Sequence, residues 1–522
     1  MTARSPDYFS SYHGGGSLKQ RTVRGSAVAS VTEGIRFVLQ LASVALLARL
    51  LAPSAFGTVA MATSITGVIS VLKEAGLGLA TLQRAVLTHE LVSSIFWLNI
   101  ALSVIGCACV AALSPAIAWF YGEPSLVAIC MVLGLFMIIG GATAQHQAIL
   151  RRRMHFRALG LIAIAGVIVS MSVSAFCAYR GLQAWALVSG IGAGELTVVT
   201  LSWTACRWRP GRPTWSSELR EVVAFGGAMT AARLMNYFAR NGDNIIIGRQ
   251  LGEGQLGIYT RAYALMLAPL SQLDAVLSGV LKPALFRVAN DDARMCAIIL
   301  RAQRLSVAFF GVGIAWIALY ADALVPFLLG DQWGEVVPVF RVLAMVTILQ
   351  VAARYPGWIL ESKGMGATIA KLAVVGSVFA LASFLIGVRW GIIGVSSAFL
   401  VQSCFWNAIL ASHRDVRAVV PVFTMARALI PACVALAVVV ALSFALRVIA
   451  LDVPQWIQLS ATLLCGFAVP LAFPAVRHDL RDARSALKGP ALDGCAREGL
   501  AEGASAAEPP SAQEPLAGEK LP

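Results

Sequence analysis

The run Arg49-Leu50-Leu51-Ala52-Pro53-Ser54-Ala55-Phe56-Gly57 returns 200 residues later as Arg249-Gln250-Leu251-Gly252-Glu253-Gly254-Gln255-Leu256-Gly257, with Arg, Leu and Gly in register. Each copy ends a membrane-length apolar segment that carries charge: Glu33 and Arg36 in the first, Arg233, Arg240 and Asp243 in the second. Ionised groups are costly in hydrocarbon, so these must face a wet interior. A duplicated helical bundle around a polar centre is the pattern of a transporter.

Composition supports the same class. The chain has 522 residues, of which 58% are hydrophobic and 13% charged, with a mean hydropathy of +0.76. That leaves too little polar surface for a soluble globule of this size, so the chain is an integral membrane protein. The apolar runs are long and unalternating, which predicts helices rather than a barrel. The net charge of +14 is spread between the apolar runs and forms no nucleic-acid-binding patch. One set of loops holds Arg21 and Arg24, Arg151 to Arg153 with Arg157, Arg207 to Arg212, Lys282 to Arg304, Arg414 to Arg427 and Arg477 to Lys488. The opposite ends hold little beyond Arg49, Arg180, Arg249, Arg389 and Arg447. By the positive-inside rule both termini are expected in the cytoplasm. Residues 1–18 are polar and carry no apolar core of a cleavable signal. The ten cysteines lack metal-binding spacing and read as small core residues.

The expected fold is all-α and polytopic: about fourteen spans, as two pseudo-symmetric six-helix lobes plus two extra helices around a central cavity. The boundaries are a disordered N-terminus over 1–18, an N-lobe over 19–206 and a basic, amphipathic cytoplasmic linker over 207–222. A C-lobe over 223–413, two further helices over 414–474 and a disordered cytoplasmic tail over 475–522 complete the chain. Six spans per half make the repeat parallel rather than inverted. Phe120-Tyr121-Gly122-Glu123-Pro124 and Leu329-Gly330-Asp331-Gln332-Trp333 occupy corresponding turns and strengthen the duplication.

Candidate site residues follow from helical spacing. Arg233, Asn236, Tyr237, Arg240, Asn241 and Asn244 share one face. Planar guanidinium forks match phosphate oxygens, so this stripe suits a phosphate or diphosphate headgroup. The competing reading is an ion-paired stripe that joins the two halves, with Asp243 neutralising Arg240. On the first helix Glu33, Arg36, Gln40 and Ser43 share a face. Glu33 and Asp243 are the candidates for ion coupling, with structural pairing of Glu33 to Arg36 as the alternative. Arg261, within Tyr259-Thr260-Arg261-Ala262-Tyr263, suits either sugar and headgroup contact or an interfacial aromatic belt. Arg151-Arg152-Arg153 with Arg157 suits anionic lipid better than nucleic acid. No nucleotide-binding loop, metalloprotease motif or nucleophile elbow occurs, so no enzyme, metal or cofactor is expected.

Several segments resemble the bacterial oligosaccharide flippase family: Leu47 to Pro53 with Phe56-Gly57, Glu74-Ala75-Gly76-Leu77-Gly78, Phe96-Trp97-Leu98-Asn99, Phe120 to Pro124, Tyr237 to Asn244, and Tyr259 to Tyr263. The resemblance covers roughly residues 18–412. It implies a member of the multidrug/oligosaccharidyl-lipid/polysaccharide exporter superfamily that exports by alternating access. The substrate it implies is an undecaprenyl-diphosphate-type lipid-linked oligosaccharide for lipopolysaccharide, capsule or exopolysaccharide. Its implied surroundings are membrane lipids, a polysaccharide polymerase and export machinery. Family cavities are cationic, and Arg36, Arg233, Arg240 and Arg261 occupy the matching positions. The alternative is a cation-coupled drug antiporter of the same superfamily, which would favour a carboxylate-lined cavity.

Overall fold

A computed structural model describes residues 18–74, 87–214, 217–449 and 455–488. In the first half the helices are α1 (Leu18–Leu50), α2 (Pro53–Glu74), α3 (His89–Tyr121), α4 (Leu126–Arg152), α5 (Phe156–Tyr179) and α6 (Ala184–Cys206). A helix of 71 residues, α7 (Ser217–Arg287), opens the second half. It is followed by α8 (Asp292–Ser306), a π-helical turn (Val307–Gly311), α9 (Val312–Leu319), α10 (Ala321–Leu329), α11 (Val336–Ala352) and α12 (Tyr355–Ser362). The chain continues through α13 (Gly366–Gly387), α14 (Gly391–Ser412), α15 (Arg414–Val419), α16 (Val422–Ala428), α17 (Ile430–Ile449), α18 (Gln455–Ala472) and α19 (Pro474–Lys488). Among the described residues there is no strand.

Nine of these segments are long and apolar enough to cross a membrane, or up to eleven if each bent pair is one span. The number lies below the expected fourteen for two visible reasons. Gly366–Ser412 counts once although the turn Val388–Trp390 divides it into α13 and α14. Ser217–Arg287 is not among the nine, and polar residues such as Arg240, Asp243 and Arg261 interrupt it. Large apolar side chains stand exposed along the spans, Val31 at 63% and Phe405 at 61% among them. Trp119, Tyr179 and Trp390 are exposed at helix ends. Hydrocarbon covers the former and the membrane interface suits the latter.

Local chemistry sets the breaks. Pro53 begins α2, where its missing N–H is not needed. The corresponding place in the second copy is Gly252, at φ 82° and ψ 179°, a conformation open to glycine alone. There α7 folds back so that Tyr259 of its second arm meets Asp243 of its first. The seventh and eighth expected spans are therefore one helix bent at a single residue. Its start at Ser217 also lies six residues before the expected 223.

The linker differs from expectation as well. Residues 207–214 have no regular structure and are pinned to the start of α3. The Gly211 N–H donates to Ser93 Oγ at 2.9 Å, and Trp97 Nε1 donates to the Gly211 carbonyl at 2.8 Å. Trp208 is buried, its indole N–H donating to His89 Nδ1 at 3.2 Å and its ring edge-on to Phe96 and His146. An amphipathic helix would have left those aromatic groups without this partner. Trp208→Ala is expected to cost about 3–5 kcal/mol, read as a lowered midpoint of thermal unfolding in detergent. Beside this linker, burial and the adjacent Arg153 push the His155 imidazole down, so the Arg151–Arg157 turn draws its charge from arginine.

The final part corrects the expected tail. Residues 474–488 form a helix bent 87° from the preceding span. Its buried Asp479 accepts from Arg304 Nε at 2.8 Å and from Arg301 Nε at 3.2 Å, which holds α19 against α8. Arg477, Arg481, Arg484 and Lys488 form a charged face, and the buried acid on the opposite face docks the helix. Residues 489–522 lie outside the described residues, as does the expected disorder of 1–17; Leu18 is already helical. The extra helices α17 and α18 pack on α9, where a Cβ at Gly466 would meet Val439 at 2.8 Å and Val312 at 3.0 Å.

Candidate functional site

The two repeated turns pack against each other. A Cβ on Gly57 would lie 1.8 Å from the Glu253 carbonyl oxygen, and one on Gly257 would lie 1.9 Å from the Pro53 carbonyl oxygen. Shifting either pair by the repeat of 200 residues turns it into the other. The contact is therefore self-complementary, as an interface about a two-fold axis must be. Both arginines of the repeat obey the same exchange. Arg49 donates through Nη2 to the Phe327 carbonyl, in the C-lobe turn before Trp333. Arg249 lies over the Phe120 ring at 5.5 Å, in the corresponding N-lobe turn.

Further bonds thicken this seal. Thr58 Oγ1 donates to Glu253 Oε2 at 2.6 Å, and Trp333 Nε1 donates to the Ala48 carbonyl at 2.8 Å. Arg261 sits in the same layer, its guanidinium 4.4 Å from the Phe56 ring centroid and its Nε without a hydrogen-bond partner among the described residues. Phe56 in turn meets Trp333 edge-on at 5.5 Å. Arg261 thus serves the seal through a cation–π contact, a role its aromatic flanks hinted at but could not assign.

Beneath the seal, three contacts orient the first arm of α7. Tyr237 O–H reaches the Thr63 and Ser64 carbonyls on α2, each at 3.0 Å, where Gly67 leaves room for the ring. Gly242 faces α13, since a Cβ there would meet Leu381 at 2.2 Å. Asp243, 3% exposed, accepts from Tyr259 O–H at 2.8 Å and from the Asn244 N–H at 2.8 Å. The expected neutralisation of Arg240 by Asp243 is not what forms, because the carboxylate is turned toward the second arm. On a helix with 3.6 residues per turn, Arg240 projects between the Tyr237 and Asp243 directions, into the wedge between α2 and the second arm.

Arg240 is exposed in that wedge and forms no ion pair among the described residues. It lies within electrostatic reach of Tyr263 and of Arg354. Arg354 follows the break at Ala353 between α11 and α12. Sequence reasoning passed over it, although an arginine two residues before Pro356 in an apolar run marks a broken span. Asn241 bonds back to the Tyr237 carbonyl at 3.0 Å, and Asn244 is half-buried on the same stripe. The side chains of Arg233 and Asn236, and those of Lys73 and Glu74, lie outside the described residues.

On α1, Arg36 Nη1 lies 3.4 Å from Glu33 Oε1, the pairing anticipated from their spacing. This helix leans on α5, where a Cβ on Gly160 would meet Thr32 at 2.4 Å. The Glu33–Arg36 pair stands on a helix packed against α5, whereas the Arg240 stripe stands on one packed against α2 and α13. Among the described residues no group of three His, Cys, Asp or Glu side chains is placed to hold a metal ion.

Known proteins resemble this chain in sequence and in fold. The profile of the family described as polysaccharide biosynthesis protein matches residues 46–338. The lipopolysaccharide biosynthesis protein WzxC of Escherichia coli K12 is 23% identical over 76% of this chain and 81% of its own length. The teichuronic acid biosynthesis protein TuaB of Bacillus subtilis is 27% identical over 67% of this chain and 72% of its own. Among solved structures, the lipid II flippase MurJ in an inward closed conformation superposes with a TM-score of 0.68 at 12% identity, over 88% of this chain and 99% of that one. An inward-facing multidrug resistance MATE family transporter of the MOP superfamily superposes with a TM-score of 0.56 at 15% identity, over 73% of this chain and 96% of that one. At these identities the likeness to solved structures is one of fold.

Proposed function

We propose, on the premise that this chain belongs to the polysaccharide biosynthesis protein family, that it is a flippase for polyprenyl-diphosphate-linked oligosaccharide repeat units. The observation that carries the reading is a two-lobed membrane bundle sealed at one end by its own repeat, with Arg240 exposed and without an ion pair among the described residues beneath that seal. A diphosphate carries oxygens suited to guanidinium forks, and arginine stays charged throughout the physiological range. The prenyl tail stays in lipid while the headgroup and sugars pass between the lobes. The loop charges support an orientation with the sealed end outside and both termini in the cytoplasm of the inner membrane. Opening of the seal as the opposite end closes then constitutes alternating access. Polymerase and export proteins would receive the translocated unit.

The drug-antiporter alternative draws less support, because the groups exposed on the α7 stripe are basic and amide while Asp243 is occupied by its own helix. Glu33 and Asp243 keep their place as coupling candidates, and Glu33 is the more accessible of the two. The deciding experiment is reconstitution in liposomes with a fluorescent undecaprenyl-diphosphate oligosaccharide, scored by accessibility to an impermeant quencher. Protein-dependent translocation is expected under an imposed proton or sodium gradient. Failure under every gradient, with intact uptake of cationic dyes, would replace this reading with the antiporter.

A further inference from the structure

Helix α17 has one face for protein and one for lipid. Ala435 and Val439 are buried against Val312 of α9. On the opposite side Ile430, Val434 and Val438 are exposed at spacings of four, and Phe423 of α16, 78% exposed, heads the same stripe seven residues before Ile430. Arg427 falls inside this stripe, four residues after Phe423 and three before Ile430. It is exposed and forms no ion pair among the described residues. A cation on a lipid-facing stripe is costly unless its head reaches an anion at the interface.

The backbone takes it there. Helices α16 and α17 meet at Leu429 with a bend of 40°, and α18 and α19 meet at Phe473 with one of 87°. Joined through residues 450–454 alone, α17 and α18 run antiparallel, and a Cβ on Gly466 would meet Val439 between them. At 1.5 Å per residue the Leu429 bend lies about 15 Å from Val439 and the Phe473 bend about 11 Å from Gly466, so the two bends sit near one level. Helical side chains lean toward the N-terminus, which carries the Arg427 head away from the apolar stripe of α17. Arg477, exposed in the first turn of α19, has its Nη2 3.5 Å from the Ala472 carbonyl and so stays at the neighbouring bend. The acids of this end are committed elsewhere: Asp479 to Arg301 and Arg304, Asp482 to Arg301 and His478, and Asp415 to His413.

We propose that the two bends bind one anionic diacyl phospholipid, its phosphate between Arg427 and Arg477 and an acyl chain along Ile430, Val434 and Val438. These three residues lie about 5–17 Å from Arg427 along the helix axis, as an acyl chain lies beneath a headgroup layer of about 5–8 Å. Two guanidinium groups repel the ammonium of a zwitterionic headgroup, which favours a net anionic one. The stripe faces away from α9, so the surrounding leaflet supplies this ligand and the site is separate from whatever passes between the lobes.

Hydrogen–deuterium exchange of the purified full chain in nanodiscs, read by mass spectrometry over residues 422–430 and 474–482, tests the site without a transport step. Replacing part of the phosphatidylcholine with phosphatidylglycerol is expected to slow exchange of both segments by about fivefold to 30-fold, from one or two arginine–headgroup attractions. Arg427→Gln combined with Arg477→Gln should abolish that difference, and both side chains are exposed, so the packing is kept. Arg427→Lys should retain part of it, because the charge remains. Arg389→Gln, at the other end of α14, should leave it intact. Equal exchange in the two lipid mixtures, or an undiminished difference in the double variant, would overturn the assignment. Displacement of phosphatidylglycerol by polyprenyl phosphate at equal concentration would also overturn it and give the site to the transport substrate.

Discussion

Gly57→Ala is expected to stop translocation while the protein still reaches the membrane. The new Cβ would lie 1.8 Å from the Glu253 carbonyl oxygen, and a backbone atom cannot rotate out of the way as a side chain can. The sealed state must open or shift to admit it. Overpacking typically costs about 1–3 kcal/mol, which displaces a two-state balance by about 5-fold to 150-fold against the sealed form. Distances between spin labels placed beyond Arg49 and Arg249 should lengthen, and export of polymer should fall in proportion to the lost sealed population. Gly257→Ala should behave alike, because its Cβ would meet the Pro53 carbonyl at 1.9 Å. Gly254→Ala supplies the control: the same turn offers its Cβ open space within 4 Å, so near-normal transport is expected. Wild-type translocation by Gly57→Ala, at equal protein level, would show that the repeat contact is not a moving seal.

Arg240→Ala should remove most transport without destabilising the bundle, because its side chain is exposed and forms no ion pair among the described residues. A hydrogen bond to a charged group contributes about 1.5–3 kcal/mol, so losing a diphosphate contact should lower translocation by at least about 10-fold and up to about 150-fold. Arg240→Lys is expected to fall between, since lysine keeps the charge but loses the planar fork. Arg354→Ala should weaken transport in the same direction, given its electrostatic reach to Arg240. The measurement is initial rate against substrate concentration in liposomes, with thermal midpoints to exclude unfolding. Undiminished rates for Arg240→Ala would remove it from the headgroup site.

Particular residues mark how far the sequence could be read. Helix class was legible, because long apolar runs admit one economical backbone solution in a membrane. Glu33 and Arg36 meet as their spacing of three predicts, since both lie on one helix. The α7 stripe was also visible as periodicity, yet its members part company in three dimensions. Tyr237 is spent on α2 carbonyls, Asp243 on Tyr259, and Arg240 is left in the wedge. Periodicity reports direction around one axis and carries nothing about what stands opposite. The docked linker and α19 were missed for the same reason: Trp208 and Asp479 look interfacial or solvated until His89 and Arg304 are brought to them.

By itself, then, the sequence determined a duplicated helical membrane protein, the turns at Ala52 and Gly252, and the side chains too charged to face lipid. Only the tertiary structure decided that those turns are each other's partners, that Arg49 and Arg249 each reach into the opposite lobe, and that Arg261 belongs to the seal. The reason is physical. Hydropathy and helical spacing are properties of one segment, whereas a contact between Gly57 and Glu253 is a property of two lobes whose close approach depends on every helix packed behind them.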